Sequence, residues 1–543
     1  MTAVLPTAAD TSSPAVSPDS AVTDQPPLPS HVRVCVVGTG FSGLGMAIRL
    51  QQDGIEDFVV LERASGVGGT WRDNTYPGCA CDVPSHLYSF SFAPNSEWSH
   101  VFSRQPEIRE YLERVTNEYG LRPRLHLNTD LEAGVWDDEA LVWRLRTSWG
   151  ELTAEMLVSG CGGLVEPALP DVPGVETFAG PAFHSARWDH SVDLAGKRVA
   201  MVGTGASAIQ VVPAIQPMVG HLTVFQRTPP WVVPRPDRPI SERERAVFRR
   251  LPVAQQAARA AVYWLREFNL LSFTRGGALR NLAEKQARKN LEDNVADPEL
   301  RAKLTPDYAI GCKRVLLSDD YYPALTQPNV SVVTTAVREV RPHSIVDGDG
   351  VEHDVDVIIF GTGFHVMDIP VAHRLVGSNG RTLSETWQDH GSEAHRGTTV
   401  AGFPNLFLLL GPNTALGHSS VVLMIEAQIR YVSDALKALG RYGAKALEVR
   451  RGAQERYNAE LQQQLDDTVW NQGGCRSWYR DANGRNFTLW PTHTFTYARQ
   501  MRRFDAEAYE LRAARTQPLA ARSLSAPQFR HPPAHQKPGK DAS

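Results

Sequence analysis

Short apolar runs and amphipathic stretches alternate along most of this chain. Short runs rich in β-branched residues predict buried strands, and four of them lie at 33–37, 57–62, 197–202 and 222–225. Apolar residues at helical spacing follow the first strand of each pair, at 44–50 and 209–212. The pattern therefore predicts two strand–helix–strand units in an α/β fold.

Glycines occupy the turn of the first unit. The segment Gly38-Thr39-Gly40-Phe41-Ser42-Gly43 has the G-x-G-x-x-G spacing and lies between the first strand and its helix. Gly38 permits the tight turn, Gly40 lets the backbone approach a pyrophosphate, and Gly43 lets the helix pack close to the strand. Glu62 ends the second strand, 19 residues after Gly43, and a carboxylate there accepts hydrogen bonds from ribose hydroxyls. This first glycine turn, residues 38–43, is predicted to bind a dinucleotide.

The second unit repeats this turn with one change. Gly203-Thr204-Gly205-Ala206-Ser207-Ala208, the second glycine turn, is a G-x-G-x-x-A variant. Its second strand ends in Gln226-Arg227-Thr228, where the first unit has an acid. A carboxylate would repel a 2′-phosphate, whereas Arg227 can pair with it bidentately. We therefore expect FAD or NAD at the first turn and NADPH at the second.

Two dinucleotide sites in one chain imply two cofactors. Hydride transfer from NADPH to a flavin is the simplest chemistry for such a pair, because the flavin can pass electrons elsewhere. A further apolar strand at 354–360 runs into Gly361 and Gly363, and a strand that ends in a glycine pair can bring the chain near a cofactor. FAD and NADPH are the predicted cofactors.

Composition and charge exclude several other classes. The chain has 543 residues, of which 42% are hydrophobic and 21% charged, and its formal net charge is -4. These values are typical of globular proteins, and a protein that coats nucleic acid would carry a basic excess. Six cysteines are too few for a disulfide scaffold, and Cys79 and Cys81 lack metal-type spacing, so no metal site is expected. No apolar run approaches the ~18 residues of a membrane span.

Both ends of the chain differ from the rest. Residues 1–30 hold six prolines and no Lys or Arg, and residues 515–543 hold five prolines. Such segments bury too little apolar area to offset their ordering entropy, so we expect two disordered tails. The first tail also lacks the basic start and apolar middle of a secretory signal. The cytoplasm is therefore the expected location.

A segment between the two units is more specific. Phe178-Ala179-Gly180-Pro181-Ala182-Phe183-His184-Ser185-Ala186-Arg187-Trp188-Asp189 agrees with F-x-G-x-x-x-H-x-x-x-W-[PD] at all five fixed positions. This pattern resembles the fingerprint of the Baeyer–Villiger monooxygenases, which are FAD- and NADPH-dependent class B flavoprotein monooxygenases. The resemblance covers about residues 32–510. It implies that the segment couples the motions of two cofactor domains and that His184 is not a proton shuttle.

Further motifs carry the same resemblance. Gly68-Gly69-Thr70-Trp71 and Tyr76-Pro77-Gly78-Cys79-Ala80-Cys81-Asp82 look like the family's flavin-wrapping segment, although the family often has Arg at the position of Ala80. Thr129 and Leu131 resemble a strand whose backbone meets the adenine in the family. From the two glycine turns and the resemblance together, the predicted cofactor-binding residues are Gly38, Gly40, Phe41, Ser42, Gly43, Glu62, Arg63, Gly69, Thr70, Trp71, Asp82, Tyr88, Leu131, Gly203, Thr204, Gly205, Ala206, Ser207, Ala208, Gln210, Arg227, Thr228, Lys313 and Arg314.

The resemblance also implies the catalytic residues. In Gly311-Cys312-Lys313-Arg314, Lys313 is expected to contact the 2′-phosphate with Arg227, and Arg314 to be the active-site arginine. Asp82 is expected to orient Arg314 through a charge-assisted pair. The predicted catalytic residues are therefore Arg314 and Asp82.

The implied activity is a monooxygenation that consumes NADPH and O2. One oxygen atom enters next to a ketone carbonyl, through a C4a-peroxyflavin, and gives an ester or lactone; sulfides are expected to be oxidised as well. Arg314 stays charged at any working pH, and it would stabilise the peroxide anion and the oxyanion of the ketone adduct. The ketone, the selectivity and the oligomeric state stay open.

Three alternatives stay open as well. A flavin monooxygenase specialised for N- or S-oxidation shares both glycine turns, but Trp188-Asp189 and Arg314 disfavour it. A pyridine-nucleotide disulfide reductase needs a redox cysteine pair, and Cys79 and Cys81 have the wrong spacing for one. A flavin-binding protein without activity is the third, since binding motifs alone do not prove turnover.

The predicted architecture places one domain inside another. An FAD domain at 31–165 and 375–514 surrounds an NADP domain at 166–232 and 311–374. A mainly helical insertion at 233–310 is rich in Ala, Arg, Glu and Leu, and the tails are 1–30 and 515–543. The apolar stretch 260–265 of the insertion is expected to dock on the core rather than to touch a membrane surface. The predicted fold class is thus α/β, with two Rossmann-like dinucleotide-binding domains, for FAD and NADP, and a helical insertion.

Overall fold

A computed structural model describes residues 26–274, 277–366, 369–481 and 483–513 of the chain. The two tails that we expect to be disordered lie outside the described residues, apart from residues 26–30. In the described ranges, no helix combines the length and the apolar character that a membrane crossing requires.

The secondary structure of these ranges alternates between strands and helices in both halves of the chain. The strands are β1 His31–Val37, β2 Phe58–Leu61, β3 Leu125–His126, β4 Leu131–Asp137, β5 Val142–Thr147, β6 Gly150–Ser159, β7 Ala182–His184, β8 Arg198–Val202, β9 His221–Phe225, β10 Val232–Val233, β11 Leu316–Leu317, β12 Val330–Val333, β13 Val337–Arg341, β14 Ser344–Asp347, β15 Glu352–Asp354, β16 Val357–Phe360, β17 Leu375–Val376, β18 Leu406–Leu408, β19 Ala446–Val449 and β20 Tyr509–Arg512. The α-helices are α1 Phe41–Gln52, α2 Thr70–Asp73, α3 Gln105–Glu118, α4 Ala208–Ile215, α5 Glu242–Arg250, α6 Pro252–Thr274, α7 Ala278–Asn294, α8 Pro298–Leu304, α9 Tyr321–Leu325, α10 Pro370–Arg374, α11 Leu383–His390, α12 Val421–Tyr442, α13 Arg451–Asp466, α14 Val469–Gln472 and α15 Thr494–Gln500.

The first sheet has eight strands, in the order β17-β4-β5-β6-β1-β2-β3, with β18 also paired to β6. Its central strand β1 pairs in parallel on both sides, so that Cys35 lies opposite Val59 and Leu157. Strands buried on both faces need a continuous apolar run, and the sequence of β1 supplies one. The strands β17 and β18 return from late in the chain and complete this sheet.

The second sheet has five parallel strands, in the order β12-β9-β8-β16-β7. Its central strand β8 leads through the second glycine turn into α4, just as β1 leads through the first turn into α1. The fingerprint segment contributes the edge strand β7, in which Phe183 lies opposite Ile359. The predicted α/β fold with two Rossmann-like units is confirmed.

The insertion between β10 and β11 is helical, as predicted, and consists of α5 to α8. Its apolar stretch 260–265 does not dock as a whole, which corrects our expectation. Val262 and Tyr263 pack against the core, but Trp264 is 60% and Leu265 62% exposed. The side of α6 that faces the protein carries Tyr263, Glu267 and Leu270, which are three or four residues apart. The buried Glu267 on this side accepts hydrogen bonds from the backbone N–H and the hydroxyl of Thr494, and Trp264 and Leu265 fall outside the inward stripe.

Candidate functional site

A cleft of about 1130 Å³ follows the carboxyl ends of the parallel strands of both sheets. Parallel α/β sheets bind ligands at this edge, because the glycine turns and helix N-termini lie there. The predicted residues that line the cleft are Thr70, Trp71, Asp82, Tyr88, Gly203, Thr204, Gly205, Ala206, Ser207, Gln210, Arg227, Thr228, Lys313 and Arg314. The predicted residues that are not among its lining are Gly38, Gly40, Phe41, Ser42, Gly43, Glu62, Arg63, Gly69, Leu131 and Ala208.

The second glycine turn leaves open space where a dinucleotide would lie. Gly203 has a φ of +107°, and a Cβ on it would lie 2.4 Å from the carbonyl oxygen of Gly361. A Cβ on Gly205 would meet no protein atom within 4 Å. The turn is therefore held closely against β16 on one side and is open toward the cleft at Gly205, as a phosphate-binding turn must be.

Two cations lie together on this side of the cleft. Burial and the nearby charge of Arg227 hold the pKa of Lys313 below its ordinary value. The Lys313 ammonium also lies 5.0 Å from the ring centroid of Tyr308. Two like charges brought together repel each other unless an anion lies between them, so Arg227 and Lys313 fit a phosphate group.

The first glycine turn is more tightly enclosed by protein. A Cβ on Gly43 would lie 1.8 Å from the carbonyl oxygen of Gly38, so only glycine lets α1 begin this close to β1. A Cβ on Gly40 would lie 3.8 Å from Cα of Gly69. Gly69 directly precedes Thr70, which lines the cleft. The two glycines therefore let the first turn and the start of α2 approach each other.

Several predicted cofactor residues have protein partners. Both oxygens of the buried Glu62 carboxylate are engaged by the protein: Oε2 accepts from the backbone N–H (3.0 Å) and the hydroxyl (2.6 Å) of Thr39, and Oε1 from Ala64 N–H (3.0 Å) and Arg72 (3.0 Å). A carboxylate has about four acceptor sites, so a ribose hydroxyl must share or replace one of these donors. Two other predicted residues also have protein partners: Arg63 pairs with Glu166, and the carbonyl of Leu131 accepts from Arg374. Ser42 and Ala208, the first residue of α4, are buried.

Aromatic side chains connect the first turn to the cleft. The indole N–H of Trp71 donates to the hydroxyl of Tyr88 at 3.1 Å. The ring of Phe41 lies edge-on to that of Tyr88, with centroids 5.1 Å apart. Burial raises the pKa of Tyr88, so its hydroxyl stays protonated and can donate a hydrogen bond. These rings fix the position of the α2 segment beside the cleft.

Asp82 and Arg314 form an ion pair in the cleft, as expected from the resemblance. Nε and one terminal nitrogen of Arg314 both lie 2.6 Å from the same carboxylate oxygen of Asp82. Burial opposes the charge of Asp82, but the charge and hydrogen bond of Arg314 outweigh burial and lower the pKa of the carboxyl. The charge of Asp82 in turn raises the pKa of Arg314. Both groups are therefore charged at neutral pH.

The segment that carries Asp82 also contacts the second glycine turn's helix. The backbone N–H of Ala80 donates to the side-chain oxygen of Gln210 at 2.7 Å. A Cβ on Gly78 would lie 2.6 Å from the carbonyl oxygen of Gln210. Gln210 thus lines the cleft and also joins the two strand–helix–strand units, a second role that the sequence alone did not indicate.

The fingerprint segment lies at the edge of the second sheet. A Cβ on Gly180 would lie 2.3 Å from the carbonyl oxygen of Asp356, which explains the glycine. Nδ1 of His184 accepts from the backbone N–H of Ala186 at 3.1 Å, and burial lowers the pKa of His184 to about 4. His184 is therefore neutral at pH 7 and is held by the backbone, an environment that suits a structural residue.

Comparison with known proteins decides the family. Residues 36–105 match the model of the NAD(P)-binding Rossmann-like domain. A relative from Streptomyces coelicolor, named Baeyer-Villiger monooxygenase, is 55% identical over 482 residues, which cover 89% of this chain and 93% of the relative. The chain belongs to the Baeyer–Villiger monooxygenase family. The resemblance that the motifs indicated is therefore confirmed.

Solved structures agree with this family. A cyclohexanone monooxygenase from Rhodococcus sp. Phi1 bound to NADP+ has a TM-score of 0.79 at 28% identity, and the match covers 90% of this chain and 100% of that one. The OTEMO complex with FAD and NADP has a TM-score of 0.78 at 25% identity, over 88% of this chain and 99% of that one. Two dinucleotides in one such enzyme accord with the two glycine turns of this chain.

The late cluster of Cys475, Trp478 and Tyr479 is expected from the sequence to be core and pocket wall, but the sequence does not reveal how this wall of the Baeyer–Villiger monooxygenase is tied to the 311–314 loop. A disulfide joins Cys312, next to Lys313, to Cys475, and the residues after Cys475 line the cleft. Tyr479 of this wall is buried, and burial raises its pKa to about 12. A cysteine pairing across 163 residues cannot be deduced from one sequence, so no local signal could have found it.

Proposed function

We propose that this monooxygenase binds FAD at the first glycine turn and NADPH at the second, and converts a ketone into an ester or lactone with one oxygen atom of O2. The observation that carries the proposal is the Asp82–Arg314 ion pair, which lies in the same cleft as Arg227 and Lys313. Cyclic ketones are the first substrates to test, because one structural neighbour is a cyclohexanone monooxygenase.

We also propose the division into domains that the sequence suggested. The first sheet, which takes β17 and β18 from late in the chain, corresponds to an FAD domain in two segments at 31–165 and 375–514. The second sheet corresponds to an NADP domain at 166–232 and 311–374. The contact between Ala80 and Gln210 supports a cleft that both domains share.

The residues of the chain suit this chemistry. Bound FAD, once reduced by NADPH, supplies the activated oxygen that the substrate receives. Arg314 stabilises the negative charge that develops on the ketone oxygen, because a fixed cation in a partly buried site acts without reorganisation. Asp82 orients Arg314 through a hydrogen bond from Nε and an ion-pair contact with one terminal nitrogen, both to the same carboxylate oxygen. Arg227 and Lys313 would hold the 2′-phosphate of NADPH, and Trp71 and Tyr88 would contact FAD.

The experiment is NADPH oxidation by the purified enzyme with and without a ketone, with product mass and hydrogen peroxide measured together. A panel of cyclic, linear and aryl ketones should yield products heavier by one oxygen atom. Thioethers and tertiary amines are assayed in parallel. Oxidation of thioethers beside ketones agrees with the proposal, whereas S- or N-oxides without any ester would favour a heteroatom oxygenase.

Removal of Arg227 is expected to reduce discrimination between the two nicotinamide cofactors. Arg227→Ala should raise KM for NADPH about 30-fold, which corresponds to about 2 kcal/mol, the worth of a hydrogen bond to a charged group, and should hardly change KM for NADH. Lys303, an exposed cation of α8, is the control, since Lys303→Ala should change neither value. Equal changes for NADPH and NADH in Arg227→Ala would remove Arg227 from this role.

Removal of the charge on Asp82 is expected to have a smaller effect than removal of Arg314. Asp82→Asn should slow ester formation about tenfold, because Arg314 loses its charged partner but keeps its own charge. Since Arg314 lowers the pKa of Asp82, the pair is complete above the ordinary carboxyl pKa of about 4 and is lost only as the pH falls below it. Ester formation should therefore show no Asp82 titration near neutral pH. Parent-like rates in Asp82→Asn would contradict this role.

A further inference from the structure

The disulfide between Cys312 and Cys475 joins two walls of the cleft. Lys313 and Arg314 follow Cys312 directly, and residues 476–479 follow Cys475; both groups line the cleft. The two cysteines are 163 residues apart in the chain. No other covalent connection than this bond and the backbone itself is present among the residues that the structure describes.

The backbone around the bond is shaped to fit it. A Cβ on Gly473 would lie 2.5 Å from Cβ and 2.8 Å from Sγ of Cys312, so only glycine allows this approach. Gly311 has a φ of +93°, and a Cβ on it would lie 2.8 Å from the ring of Phe273. The N–H of Ala309 donates to the carbonyl of Gly473 at 3.0 Å. The close packing at Gly311 and at Gly473 indicates that the backbone on both sides of the disulfide is adapted to this connection between the two walls.

Two contacts thus hold the 311–314 loop in place, one at Cys312 and one at Arg314. Arg314 is held by Asp82 on the first glycine turn's side, and Cys312 is held by Cys475 on the opposite wall. We propose that the Cys312–Cys475 bond is a positioning brace that keeps Lys313 and Arg314 aligned with both cofactor sites. This inference rests on the proposed function, since it concerns the residues to which we assign the 2′-phosphate and the ketone oxygen.

Reduction of the disulfide should make the 311–314 loop more mobile without removing any functional side chain. A dithiol reductant attacks one sulfur, displaces the other as a thiolate, and then closes into its own cyclic disulfide, which leaves thiols at Cys312 and Cys475. Cys475 is half-buried, whereas Cys312 is buried, so Cys475 is the accessible end. Arg314 then keeps its charge and its contact with Asp82, but its backbone becomes more mobile.

The test compares the oxidised and the reduced holoenzyme. The enzyme is treated with dithiothreitol, desalted without air, and assayed for ester and hydrogen peroxide per NADPH; a second sample is reoxidised first. We expect reduction to raise KM for NADPH and to lower the ester yield at least about tenfold, since a displacement near 1 Å can cost up to 100-fold. FAD content should not change, and reoxidation should restore the yield.

Cysteine variants supply the control. Cys312→Ser and Cys475→Ser should each match the reduced parent enzyme, and the double variant should be no worse than either, because each single change breaks the same bond. Dithiothreitol should have no effect on the double variant. If the serine variants fold poorly, the reversible reduction of the parent enzyme still decides the question.

Three outcomes would overturn the brace. They are free thiols at both positions in a peptide map of the air-purified enzyme, an unchanged ester yield and KM after complete reduction, and additive losses in the two serine variants. Failure of the oxidised parent enzyme to form any ester would instead contradict the proposed function. In that case the KM for NADPH in flavin reduction still reports on the brace through Lys313.

Discussion

Arg314→Ala is expected to slow ester formation at least about 100-fold, a loss of ~3 kcal/mol of transition-state stabilisation. Arg314 is the cation that Asp82 holds in the cleft, with both contacts to one carboxylate oxygen at 2.6 Å. Alanine leaves the charge of Asp82 without its partner and the developing charge on the ketone oxygen without a fixed cation. Electrons from NADPH should then reduce O2 to hydrogen peroxide without forming an ester. The measurement is ester and hydrogen peroxide per NADPH consumed.

Two further variants sharpen this test. Arg314→Lys keeps the charge but lacks the planar fork that contacts Asp82 through two nitrogens, so it should restore little activity. Arg502→Ala removes an exposed arginine and should behave like the parent enzyme. FAD should stay bound in all three variants. Ester formation by Arg314→Ala near the parent rate would refute the role that we propose for Arg314.

Gly205→Val is expected to abolish NADPH binding while FAD stays bound. A Cβ at this position meets no protein atom within 4 Å, so the fold can accept the larger side chain. The valine methyl groups would fill the space in which the backbone approaches the pyrophosphate. We expect KM for NADPH to rise at least about 100-fold, equivalent to the loss of about 2.7 kcal/mol of binding. Flavin reduction by NADPH is the measurement, and dithionite should still reduce the flavin.

A matched glycine and the other turn provide the controls. Gly440 is exposed near the end of α12, and a Cβ on it also meets no atom within 4 Å, so Gly440→Val should leave KM unchanged. Gly40→Val at the first turn should give the reciprocal result, a folded protein without FAD. Loss of FAD in Gly205→Val, or retention of FAD in Gly40→Val, would mean that the cofactors are assigned to the wrong turns.

The local parts of the fold could be predicted from the sequence. Each glycine turn, its preceding strand and its following helix are contiguous in the chain, and steric limits on the backbone decide their form. Gly38 and Gly203 both adopt positive φ, at +97° and +107°, as such a turn requires. The helices α5 to α8 likewise follow from their composition. The fingerprint that ends in Trp188 and Asp189 indicated the family, because its residue types stand at fixed spacing.

Contacts between distant segments required the tertiary structure. Asp82 and Arg314 are 232 residues apart, and only the resemblance suggested their pairing. Nothing in the sequence showed that Thr39, Ala64 and Arg72 occupy the acceptor sites of Glu62. The outward position of Trp264 and the Cys312–Cys475 bond were equally hidden. Such contacts depend on how separate elements pack, and packing is decided by the sum of many weak long-range interactions that no local pattern records.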